Sequence, residues 1–133
     1  MSQENVEIVR RMWKDYDERG IDGVLDYFVE DCVCEDFTDM PDRATYEGKQ
    51  GIRERDKHFA EIWGDLTIEP VEFIDAGEDV VVTLISIRGR GRGSGAPIDV
   101  RSAFIDEFRG GKIVRNRAFS STTEALEAAG LEE

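Results

Sequence analysis

Histidine is almost missing from this sequence: His58 is the only one. Cysteine is scarce too, with Cys32 and Cys34 alone, and proline occurs three times. A metal cluster needs several thiolate or imidazole ligands, so no metal site and no cofactor are expected. Basic residues are also short. Seventeen Lys and Arg stand against 30 Asp and Glu, a net charge of −13 over 133 residues. A nucleic-acid binder carries a basic footprint, and this balance is the reverse. An anionic membrane surface would repel the chain for the same reason. No apolar run approaches the roughly 18 residues of a membrane-spanning helix. The start, MSQENVEIVRRMW, lacks the basic stretch and apolar block of a secretory signal, so a cytoplasmic location is expected. Cys32 and Cys34 lie two apart in an extended run and share one side of it. Their spacing is at the upper reach of a disulfide, about 7 Å, so both are expected as reduced core thiols.

What is present suffices for one core. Hydrophobic residues make up 40% of the chain, and nothing in it reads as a linker or repeat, so residues 1–133 are expected to form a single domain. Val6, Val9, Met12, Trp13 and Tyr16 recur at helical spacing after Ser2, and Gly20 ends that helix. Asp22 can cap a short second helix carrying Val24, Leu25 and Phe28 inward. Residues 32–37 alternate as a strand, and a loop runs from Thr38 to Gly48. A third helix spans 51–63, with Ile52, Phe59, Ile62 and Trp63 on one face. Strands follow at 66–74, 80–90, 98–108 and 113–119, joined by turns at 76–79, 91–97 and 110–111. Residues 123–129 can form a short last helix. Helices first, then hairpin-linked strands, is an α+β pattern. Three N-terminal helices are expected on one face of a strongly curved, mostly antiparallel sheet, with a pocket between the layers.

This order, with GIDGVLDYFVEDCVCED (20–36), TYEGKQGIR (45–53) and GGKIVRNRAF (110–119), resembles the SnoaL-like and ketosteroid-isomerase-like branch of the nuclear transport factor 2-like superfamily. The resemblance covers nearly the whole chain. It implies a cone-shaped roll, a pocket for a small apolar or aromatic molecule, and a homodimer through the outer sheet face. It also places Asp36, in its Cys-Glu-Asp setting, where ketosteroid isomerases carry their general base. Those enzymes add a tyrosine on the first helix and a protonated aspartate on a later strand. Here Met12 or Trp13 falls at the tyrosine position. Counting back from Gly111 and Lys112 puts Phe104 at the aspartate position. Steroid isomerisation is therefore not expected. Epoxide-hydrolase relatives use an acid–arginine–acid set, and here those positions read Ala118, Ile85 and Ile87.

The residues themselves suggest pocket partners for Asp36. Tyr16 lies near the centre of the buried arc of the first helix, and a buried hydroxyl needs a partner. Arg55 and Asp56 flank the apolar face of the third helix, where a charge is costly unless paired. Arg55 can pair with Asp36 or Asp56, or anchor a ligand. Trp13, Tyr46, Phe59, Trp63, Ser102, Phe104 and Asn116 complete the expected lining. His58 sits at the border of that face. In the run Arg88-Gly89-Arg90-Gly91-Arg92, alternation puts the arginines on one face, to meet the chain's own acids or a dimer partner's. Three functional classes stay open. They are a cofactor-independent isomerase or cyclase using Asp36, a non-catalytic ligand-binding protein, and a dimerisation module.

Overall fold

The computed structural model describes residues 2–38, 43–63, 66–91 and 93–131, leaving the side chains of Ser2, Ile62 and Trp63 outside the description. Helix α1 spans Ser2–Arg19. Its inward face carries Val6, Val9 and Met12, at most 7% exposed. Gly20, at a φ of 68°, stops it in a conformation that costs glycine nothing. Two 3-10 turns follow, Gly20–Gly23 and Leu25–Tyr27, where a single short helix was expected. Gly23 explains their tightness. A Cβ there would sit 2.7 Å from the Asp15 carbonyl oxygen, so only glycine lets the turn lie against α1.

Strand β1 spans Phe28–Glu35, β2 is the short Thr45–Glu47, and α2 spans Gly48–Trp63. The expected loop is thus shortened by β2, which pairs antiparallel with β1. Strands β3 (Leu66–Asp75), β4 (Val80–Arg90), β5 (Pro97–Arg109) and β6 (Lys112–Phe119) form the meander, and α3 (Thr122–Ala128) follows. All six strands make one open sheet in the order β2-β1-β6-β5-β4-β3. The pairing of β1 with β6 is parallel and the other four pairings are antiparallel. β3 is an edge strand, which is why it tolerates Pro70 beside a register shift between Pro70 and Glu72.

The two faces of the sheet bury different clusters. The inner one joins Val6, Val9, Met12, Val24, Phe28, Cys32, Cys34, Ile52, Val81, Phe108 and Ile113. Full burial of such side chains contributes about 1.5–3 kcal/mol each. Cys32 and Cys34 are free and buried within it. The other cluster joins Val82, Ala103 and Ile105 to Ala125 of α3. Alternation puts these on the face opposite Val81, Phe104 and Asp106. Of the three expected N-terminal helices, the first and third are α1 and α2, and the two 3-10 turns stand in place of the second. The short last helix expected at 123–129 is α3, and it covers the outer face because Ala125 and Leu126 pack on outer-facing strand residues. No described helix is long and apolar enough to cross a membrane.

Candidate functional site

A cavity of about 120 Å3 lies between α1, α2 and the inner sheet face. That is slightly less than the roughly 150 Å3 of an apolar cavity that holds a benzene molecule. Met12, Trp13 and Tyr16 line it from α1, and Ile21, Val24 and Phe28 from the turns and the start of β1. Ile52, Arg55, Asp56 and Phe59 come from α2, and Ile68 from β3. Phe104, Asp106, Asn116 and Ala118 come from β5 and β6, with Phe37 beyond β1. Aromatic rings run through it in series. Trp13 meets Tyr16 edge-on at 6.1 Å and Phe104 at 6.1 Å, and Phe37 lies 5.7 Å from Phe104 and 6.0 Å from Phe59. Such contacts hold ring planes in place beyond what burial alone does.

Two polar sets interrupt this wall. On one, the Tyr16 hydroxyl donates to Asp56 Oδ1 at 3.1 Å. Burial and the Asp56 carboxylate push the Tyr16 phenol up to about 12. On the other, Arg55 Nη1 donates to Asn116 Oδ1 at 2.8 Å, and Asn116 Nδ2 donates to Asp106 Oδ1 at 2.6 Å. Asp106 is 1% exposed. Burial pushes its carboxyl up to about 6, although Asn116 and Arg55 both pull the other way. Its Oδ2 is buried with no hydrogen-bond partner, and so is the indole Nε1 of Trp13. An unpartnered buried polar atom costs about 1–3 kcal/mol, so a cavity keeping two of them is suited to a ligand that partners both.

Among residues singled out from the sequence, the cavity gathers Trp13, Tyr16, Arg55, Phe59, Phe104 and Asn116. Asp36 is not among its lining residues. Its Oδ2 accepts the Ala44 N–H at 3.1 Å, and its own N–H donates to the Ala44 carbonyl at 3.1 Å. The carboxylate thus ties the loop after β1 to the segment before β2. Arg55 bonds to Asn116 and, at 3.5 Å, to the Glu35 carbonyl, rather than to Asp36 or Asp56. Ser102 is buried outside the lining and donates to the Ser120 carbonyl at 3.4 Å. Tyr46 packs against the inner cluster, and His58 is half-buried on α2. The Trp63 side chain and Arg92 fall outside the described residues.

Asp106 was not singled out. The signal for it was alternation, since Ser102 and Phe104 both face inward and the next position on that face is 106. Counting from the Gly110–Gly111 turn stops at Phe104 instead. β5 shifts register between Glu107 and Phe108, so a count through the turn does not carry over to the strand.

On the outer face, Arg88 meets Glu69 at 3.1 Å, and Arg101 reaches Asp99 at 3.8 Å. Arg115 is bidentate on Glu35 Oε2, at 2.9 and 2.6 Å, and also reaches Glu107 at 3.5 Å. These arginines meet the chain's own acids.

The sequence profile of the SnoaL-like domain matches residues 9–116. The chain belongs to the SnoaL-like domain family. Solved structures of the same fold include TerC co-crystallised with polyporic acid, at 22% identity and a TM-score of 0.76, over 96% of this chain and 98% of that one. A putative SnoaL-like polyketide cyclase from Jannaschia sp. CCS1 is similar at 16% identity and a TM-score of 0.74, over 98% and 94%. SalBIII, an epoxide hydrolase/cyclase-like enzyme in pyran ring formation, is similar at 22% identity and a TM-score of 0.71, over 92% and 96%. No curated protein matches the sequence. At these identities the solved structures share the fold alone, and activity has to be argued from the cavity.

Proposed function

We propose that this SnoaL-like chain binds a small, largely apolar molecule bearing an oxygen, and that Asp106 moves a proton on it as a cofactor-independent isomerase or cyclase. The observation that carries this reading is the unpartnered Oδ2 of a fully buried carboxyl on an aromatic cavity. With its pKa near 6, about one Asp106 in ten holds a proton at pH 7. Such a group both accepts and returns a proton near neutral pH. In an isomerisation, ionised Asp106 takes a proton from a carbon beside a carbonyl. The electron pair moves onto the carbonyl oxygen, and Trp13 Nε1–H donates to that oxygen. The same carboxyl then gives the proton to another carbon, and the carbonyl re-forms. Asp36, placed in the catalytic role by the family resemblance, serves in this reading as the anchor of the loop before β2.

Two neighbours of the same fold are consistent with this reading: one is a putative polyketide cyclase, and another was crystallised with polyporic acid. The free, buried Cys32 and Cys34 support a reducing, cytoplasmic setting. The outer face, where Arg88, Arg101 and Arg115 are paired with acids of the same chain, supports association of two copies through the sheet. Light scattering at micromolar concentration tests that part, and a monomer would count against it.

The main test is native mass spectrometry of the purified protein to identify a retained small molecule, followed by turnover assays on it. Asp106→Asn should keep the fold and abolish turnover. An equally active variant would sink the reading. Saturable binding without chemical change would leave a carrier rather than an enzyme.

A further inference from the structure

The Asn116 amide has only one chemically allowed orientation. A guanidinium donates and never accepts, so the atom of Asn116 that meets Arg55 must be the carbonyl oxygen. The amide NH2 is then turned to Asp106 Oδ1. Arg55 itself is held firmly. Its Nη1 also reaches the Glu35 carbonyl, and its guanidinium carbon lies 5.8 Å from the Phe104 ring centre. Glu35 is in turn clamped by Arg115. An Asp106 oxygen that receives a donor is a poor place for a proton, and the other oxygen has no protein partner.

We infer that Arg55 is a positioning residue which, through Asn116, directs the exchangeable proton of Asp106 to Oδ2, the oxygen left for a ligand. Without Arg55 the amide is oriented by Asp106 alone, and only while that carboxyl is ionised. A rotated amide would set its carbonyl against Oδ1, where only a protonated carboxyl can answer it. The inference rests on Asp106 as the proton-transferring group, but it concerns the unliganded protein and is tested there. Glu107 and Cys34 also act electrostatically around Asp106, and the Tyr16–Asp56 pair lines the same cavity. The variants below leave all four unchanged.

The experiment is an NMR titration of the ligand-free protein, following the Asp106 carboxyl carbon and the Asn116 side-chain amide. In the wild type the Asn116 NH2 signals should move with the Asp106 midpoint. Arg55→Met should raise that midpoint by about one unit or more and enlarge the linked movement of the NH2 signals, because the amide then turns as the carboxyl takes its proton. Arg55→Lys, which keeps a donor for the Asn116 oxygen, should return both partway to the wild-type values. In an Asn116→Leu background, Arg55→Met should shift the midpoint much less. Equal shifts in both backgrounds would mean that Arg55 acts through its charge alone and would overturn the inference. If Asn116→Leu does not fold, the single variant still decides. NH2 signals that track Asp106 unchanged in Arg55→Met would show that the amide needs no arginine to hold it. These results are independent of turnover, so a protein without activity could still pass, and an active one could still fail.

Discussion

Asn116 on β6 and Asp106 on β5 are direct cross-strand partners, and the amide of one donates to the carboxyl of the other at 2.6 Å beneath the aromatic cavity. Burial of this carboxyl makes stability depend on pH. Asp106 has a folded pKa of about 6, raised from 3.8. The folded state therefore binds more protons than the unfolded chain between those values, and stability falls as pH rises through that window. The full difference is roughly 3 kcal/mol, present above pH 6 and vanishing below pH 4. Asp106→Asn removes it while keeping an acceptor for Asn116. Urea denaturation at pH 4 to 8 should show the variant more stable than the wild type at pH 7, with the gap closing toward pH 4. A gap that is constant with pH would contradict the burial of this charge.

Asp36→Ala should behave as a loop variant. It removes the acceptor of the Ala44 N–H, which costs about 1–2 kcal/mol. Ligand affinity at the cavity should stay within about twofold of wild type, since a change there must exceed a few tenths of a kcal/mol to register. Lost turnover in a folded Asp36→Ala protein would return the catalytic role to the position the family resemblance indicated.

Tyr16→Phe should cost about 1–2 kcal/mol, because Asp56 loses a hydroxyl donor at 3.1 Å on a largely apolar wall. The phenol is raised to about 12, so its contribution holds below pH 10 and is lost as pH climbs from 10 to 12. Alkaline absorbance titration checks the assignment. The variant should lack a tyrosinate component near pH 12 that the wild type shows.

Trp13→Phe keeps a ring against Phe104 and removes an unpartnered donor of a cavity-lining residue. Affinity for an oxygen-bearing ligand should fall about tenfold, the equivalent of one hydrogen bond. Affinity for a purely apolar ring such as benzene should barely change. Equal losses for both would show that Trp13 contributes packing alone.

Much of this protein was legible along the chain. The period of Val6, Val9 and Met12 located the first helix, and the alternation in 80–90 and 98–108 located the central strands. Trp13, Tyr16 and Phe59 of the aromatic lining followed from which face of each helix was apolar, and Phe104 from the family resemblance. These are local properties: side-chain direction repeats every 3.6 or 2 residues, and water selects the face that is buried. The family could also be recognised from the order and spacing of three short segments. The tertiary structure decided what no local period encodes. It sent α3 to the outer face, ran β6 parallel to β1, and turned Asp36 toward a backbone N–H. It also assembled Arg55, Asn116 and Asp106, which are separated by up to 61 residues along the chain. A hydrogen-bond partner is chosen by three-dimensional proximity, and a carboxyl becomes unusual only when its neighbours withdraw it from water.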